Sequence, residues 1–168
     1  MYSLDEIEYE VERLAAVIGA SARALPTFGR SEDGARPHIE VDGSHYHYVV
    51  VERGEELRRE TTSSLDELLY YVFEAVTFSM AMNYEAAHRV ESQDCRRLIF
   101  RRQIELLSQL SPEWAETESR DHDRILREHP FDDLALVRAT LCEQLRRQGI
   151  SADEAWRAAC ERRPLPKM

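Results

Sequence analysis

The sequence predicts an α+β protein: a small three-stranded antiparallel meander packed on a predominantly helical domain. Three observations carry this reading. Apolar residues recur at helical spacing from Ile7 to Ile18. An aromatic and β-branched run, His45 to Val51, lies between two turn signals, as a central strand should. Helical periodicity then holds from Thr62 onward.

The elements follow in order. Ser3-Leu4-Asp5-Glu6 is a capping box, in which the serine hydroxyl and the glutamate carboxylate satisfy orphan N–H groups reciprocally. The helix it opens is amphipathic to about Ala24, with Ile7, Val11, Leu14, Ala15 and Ile18 inward and Glu8, Glu10 and Glu12 on its other faces. Pro26 and Gly29 end it, and 30–37 reads as a polar loop. Ile39 and Val41 lead into Asp42-Gly43, a dipeptide suited to a type I′ hairpin turn, where both central residues need φ > 0. After the central strand, Gly54-Glu55 makes a second turn, and Leu57 to Thr61 is a more polar edge strand. Ser64-Leu65-Asp66-Glu67 is a second capping box. The helix after it, with Leu68, Leu69, Val72, Phe73, Val76 and Met80, is apolar on most faces and is therefore the core helix. Asp94 caps the next helix. Ser111-Pro112 starts another, with proline at the first helical position. Asp132 or Asp133 caps a helix ending at Gly149, and Ser151 to Glu154 is a third capping box. The tail from Arg162 is expected to fray.

At 168 residues the chain reads as one domain, 1–168: helix plus meander over 1–62, a helical core over 63–133, and a C-terminal helical extension over 134–168. A hydrophobic fraction of 43% is enough for a core. Twenty-two basic residues against 32 acidic give a formal charge of −10, which argues against a duplex-DNA or RNA binder, since such affinity comes from neutralising phosphates. The same charge suits a basic protein partner. No apolar run reaches the roughly 20 residues of a membrane span. The acidic N-terminus has no apolar signal-peptide core, and Cys95, Cys142 and Cys160 show no paired spacing, so the expected location is the cytoplasm. Cys95 and Cys142 are expected to be small buried hydrophobes.

The chemical motifs are weak. His45 and His47 share a strand face but lack a clustered third ligand. Glu85-Ala86-Ala87-His88 is a single Glu-x-x-His, whereas di-iron bundles need two. Asp121 and Asp123 flank His122 at i and i+2 on a helix, so they point apart and read as a solvated acidic face. No nucleophile elbow, phosphate loop or dinucleotide fingerprint occurs. Arg96, Arg97, Arg101 and Arg102 lie among acids and read as a salt-bridged helix face. No catalytic residue, cofactor or metal is assigned, and binding is the default function.

The block Asp66 to Phe73, with Val76 to Ala81, Tyr84-Glu85, Arg89, Asp94-Cys95-Arg96-Arg97, Leu98 to Phe100, Gln103, Glu105-Leu106-Leu107, Pro112-Glu113-Trp114 and His129-Pro130-Phe131-Asp132-Asp133, resembles the Immunity protein 63 family of bacterial polymorphic-toxin systems. The resemblance implies a non-enzymatic inhibitor in the cytoplasm that binds a cognate toxin domain, and the charge suits a basic nuclease as that toxin. It supplies no binding residues and says nothing of oligomeric state. Partner-binding expectations therefore rest on residue type and expected exposure: Tyr46, Tyr48, Glu52, Asp121 and Asp123. Glu74, Glu85, Arg96 and Arg97 are expected to form a structural helix–helix ion pair, with presentation to a partner as the other reading. Two other readings stay open: an adaptor or chaperone for a secreted effector, and a metal-dependent helical-bundle enzyme using Glu85, His88 and His122.

Overall fold

A computed structural model describes residues 1–166; Lys167 and Met168, the end of the tail expected to fray, lie outside the described residues. The chain divides into two compact units. The first holds Met1–Met80 and Gln103–Glu116, and the second holds Ala81–Arg102 and the chain from Thr117 onward.

In the first unit, α1 (Leu4–Ile18) forms as its pattern requires. The Ser3 hydroxyl accepts from the Glu6 N–H, the Glu6 carboxylate accepts from the Ser3 N–H, and Gly19 ends the helix in the left-handed region at φ 69°. The helix stops earlier than the periodicity suggested, and Ala22–Ala24 is a separate turn of 3₁₀ helix. The sheet comprises β1 (Thr27–Phe28), β2 (Gly34–Val41), β3 (Tyr46–Glu52) and β4 (Glu55–Thr62), in that spatial order. Strands β2 to β4 are the expected antiparallel meander, with β4 at the edge. The expected three-stranded antiparallel sheet is corrected by β1, which pairs parallel to β2 and makes a four-stranded mixed sheet. Two residues carry no periodicity, so β1 left no trace in the sequence pattern. The supposed loop over 30–37 is also shorter than expected, because β2 begins at Gly34.

The two hairpin turns exchange roles relative to the expectation. At the first, neither Asp42 nor Gly43 has φ > 0. Instead one carboxylate oxygen of Asp42 accepts from the N–H groups of Ser44 and His45, both at 2.7 Å, and the side chain holds the turn. The left-handed pair is Arg53-Gly54, at φ 53° and 79°, between the paired Glu52 and Glu55. A two-residue loop with both φ positive fits the right-handed strand twist, and here an arginine occupies the strained position.

The helix α2 (Leu65–Ala87) begins in the first unit, as do the last turns of α3 (Cys95–Ser108) and the first turn of α4 (Pro112–Glu128). The core joins Ile7, Val11 and Ala15 of α1, Ile39, Tyr46 and Tyr48 of the sheet, Leu68, Val72 and Phe73 of α2, and Leu106, Leu107 and Trp114. Trp114 stacks on Phe73 at 6.1 Å and 15°, and its indole N–H donates to Asp66. The Ser111 hydroxyl accepts from the Trp114 N–H, so the predicted cap is formed.

The second unit contains α5 (Ala135–Arg147) and α6 (Ala152–Arg162), which are in contact. Ser151 caps α6 as expected, and Gly149 at φ 88° follows α5. Neither Asp132 nor Asp133 is the residue capping α5; that position is Leu134, without a side-chain cap, because both carboxylates are engaged with arginines. Cys95 is exposed and Cys142 half-buried, which corrects the expectation that both are buried. No described helix is long and apolar enough to cross a membrane.

Candidate partner-binding surface

The polar residues of the second unit form a structural network. Asp94 sits before α3, and its carboxylate accepts from the backbone N–H of Arg96 at 2.9 Å and of Asp132 at 2.8 Å. The Arg96 guanidinium donates to Asp94 at 2.7 Å and to the carbonyls of His129 and Pro130, both at 2.9 Å. Asp133 accepts two bonds from Arg97, at 2.7 and 2.9 Å, and a third from the Asp94 N–H. Phe131 lies under the Arg97 guanidinium at 4.2 Å. Arg138, only 1% exposed, reaches Asp132 through two bonds and donates to the carbonyls of Arg163 and Pro164. Glu74 pairs with Arg58 and Glu85 with Arg89. All four residues are ion-paired, but none of these pairs joins two helices: Arg58 lies on β4, Arg89 just beyond α2, and Asp94 and Asp133 in the segments before α3 and α5, which corrects the expected helix–helix pairing.

Burial pushes the Asp94 carboxyl up, but the Arg96 guanidinium and the two backbone N–H donors outweigh it and hold it at about 2. A carboxyl held below its unfolded value stabilises the fold above that value. The stabilisation is lost as pH falls from about 4, the ordinary value, through 2. The expected result is that Asp94→Asn lowers stability at pH 7 and flattens its decline over that interval, as measured by urea midpoints at successive pH values. An unchanged pH profile in the variant would contradict this assignment.

The residues weighed for chemistry are already committed to neighbours. His47 meets Asp42 at 3.1 Å and Thr61 at 2.9 Å, while His45 meets Ser44 at 2.8 Å. The Glu85 carboxylate is bound by Arg89, and His88 stacks on Tyr84 with Nδ1 at 2.8 Å from that residue's carbonyl. His122 is buried rather than solvated, stacked on Phe100 at 3.8 Å and paired with Glu118 at 3.0 Å. Among the described residues, no three His, Cys, Asp or Glu side chains are placed to hold a metal ion.

The residues expected to face a partner separate into two groups. Tyr46 and Tyr48 are each 2% exposed and belong to the core, so their expected exposure is corrected. Burial raises the Tyr48 phenol to about 12, and Arg58 lies over its ring at 5.2 Å. The Tyr46 hydroxyl accepts from the Tyr2 N–H at 2.8 Å, which makes it a support for the chain entering α1. Glu52, Asp121 and Asp123 keep solvent-facing carboxylates; Glu52 lies 3.9 Å from Arg53 and Asp121 pairs with Arg124.

A different surface, on α1, was not singled out by the sequence reading. Tyr2 and Tyr9 are 48% and 65% exposed, and together with Asp5, Glu6 and Glu10 they line a cleft of about 360 Å³. Glu10 pairs with Arg13 and Glu6 is held by Ser3, but Asp5, Glu8 and Glu12 form no ion pair among the described residues. The signal was available in the sequence. Positions three and four residues from Asp5, Glu8 and Glu12 hold no arginine or lysine, so no helical neighbour can neutralise them.

Residues 42–124 match the model of a protein family described as Immunity protein 63. The match supports the resemblance to this family. The matched segment runs from the first hairpin turn into α4 and so includes β3, β4, α2 and α3. Membership in Immunity protein 63 implies an immunity protein directed against a toxin, with a protein as its partner, in a family that is generally non-catalytic. No curated protein and no solved structure matches the chain.

Proposed function

We propose that this protein is an Immunity protein 63 member that binds the toxic domain of a cognate bacterial polymorphic toxin and neutralises it by occupying or distorting its active site, with no catalysis of its own. The observation that carries the reading is the family match over residues 42–124. Two further features agree with it. The chemistry-bearing histidines and carboxylates are bound to structural neighbours, and the charge of −10 favours encounter with a basic partner. Most nucleases must attract phosphate, so a basic nuclease domain is the toxin this reading selects, met in the cytoplasm of the producing cell. Glu52, Asp121 and Asp123 remain contact candidates in this reading.

The test uses the C-terminal domain encoded by the reading frame immediately upstream, induced in a bacterial host with and without this protein. The expected outcome is growth arrest by the domain alone, relief on co-expression, and a complex that co-purifies. Arrest that persists despite expression of the soluble protein would refute immunity to that domain. A stable complex without relief of arrest would favour an adaptor role instead.

A further inference from the structure

We propose that the outer face of α1 is where the toxin domain docks, through a lysine- and arginine-rich surface of that domain seated between Tyr2 and Tyr9; this rests on the immunity reading above. Three properties of the face lead to it. The first is charge. Within α1, Asp5, Glu6, Glu8, Glu10 and Glu12 stand against the single arginine Arg13, and Asp5, Glu8 and Glu12 form no ion pair among the described residues. Elsewhere most ion-paired acids are already answered within the chain: Glu40 and Glu56 by Arg59, Glu74 by Arg58, Asp133 by Arg97. Five acids within residues 5–12 make this a densely negative helix face, to which an opposing basic surface is attracted.

The second property is aromatic. Tyrosine is enriched among residues that dominate binding energy, and an exposed ring offers its face to a lysine or arginine. Tyr9 is on the exposed side of the helix, one turn from Asp5 and Glu12. The cleft between Tyr2 and Tyr9 gives a side chain somewhere to enter, which a flat acidic stripe does not. The third is rigidity. The capping box fixes the first turn, Ile7, Val11, Ala15 and Ile18 bury the opposite face, and the Tyr46 hydroxyl holds the Tyr2 backbone. A face held this way binds without the ordering cost of a loose segment.

The α5 groove of about 610 Å³, lined by Leu136, Val137, Thr140 and Leu141, is larger, but nothing in its charge or lining specifies an occupant.

The test measures association and dissociation of the purified upstream-encoded toxin domain on the full chain at low and high salt. Asp5→Arg, Glu8→Arg and Glu12→Arg are combined in one variant. A charge-matched variant, Glu128→Arg with Asp153→Arg and Glu161→Arg, changes the net charge equally at exposed positions elsewhere. Tyr9→Ala is the third. All substituted side chains are exposed, and thermal melts verify that each variant folds. The expected result is association slowed about ten-fold or more by the α1 reversal at low salt, with the gap narrowing at high salt. The charge-matched variant should stay within about three-fold of the unaltered chain, and Tyr9→Ala should speed dissociation about ten-fold. Equal slowing by both reversals would assign the effect to net charge and overturn the docking face. Unchanged kinetics in the α1 variants, with the unaltered chain still protecting cells, would overturn this inference and leave the immunity reading standing. Failure of the unaltered chain to bind or protect would remove both.

Discussion

Replacing Arg138 by alanine should destabilise the protein by about 3–5 kcal/mol, the cost of breaking a buried ion pair from one side. The guanidinium is 1% exposed and spends its donors on the Asp132 carboxylate, at 2.6 and 2.9 Å, and on the carbonyls of Arg163 and Pro164. Truncation leaves one charge and two carbonyls without those donors in a place that water reaches poorly. Against a total stability of about 5–15 kcal/mol, this is a large fraction. Two comparisons separate the mechanism from a general loss of arginine. Arg147→Ala breaks a pair whose side chains are 74% and 63% exposed, so its cost should be below about 1 kcal/mol. Replacing the buried pair together, Arg138→Met with Asp132→Leu, should cost less than Arg138→Ala alone, because no charge is stranded. Urea unfolding of the three variants checks the order. A cost for Arg138→Ala no larger than that for Arg147→Ala would contradict the network's role.

Phe73→Ala should cost a similar amount, about 3–5 kcal/mol, by a different mechanism. Phe73 is fully buried on α2 and stacks on Trp114, which also meets Tyr70 at 6.4 Å. Removing the ring takes away its transfer free energy and leaves a cavity bounded by a sheet, α1 and two other helices, which have little freedom to collapse. Phe73→Leu retains most of the volume and should cost less than about 2 kcal/mol, with loss of the Trp114 stacking signal in near-ultraviolet circular dichroism. A Phe73→Ala protein with an unchanged urea midpoint would show that this site is not the core of the first unit.

The features legible in the sequence were those that depend on local chemistry. Ser3, Ser111 and Ser151 cap the helices they precede, and the helical pattern from Leu68 to Val76 marks the buried face of α2. The edge position of β4 also followed from its polar composition. Most of what escaped was decided by neighbours distant in the chain. On β3, alternation divides Tyr46 and Tyr48 from His47 and Val49 without saying which face is inward. The tyrosines face the core, where the Tyr46 hydroxyl meets the Tyr2 N–H and the Tyr48 ring lies under the Arg58 guanidinium. Asp42-Gly43 supports more than one turn, and the carboxylate hydrogen bonds chose between them. Asp132 and Asp133 look like caps on any local reading. Only the return of α3 and α5 to the same place gives them Arg97 and Arg138 as partners. The unpaired acids of α1 were readable from spacing, but their exposure beside Tyr2 and Tyr9 needed the fold.

Titration of the purified upstream-encoded toxin domain with this protein, following the domain's own activity, tests neutralisation by binding most directly. The account predicts a linear fall in activity that reaches its floor near one equivalent, with both chains eluting as one complex and no turnover attributable to the inhibitor. Full activity in the presence of a several-fold excess of folded protein would contradict it.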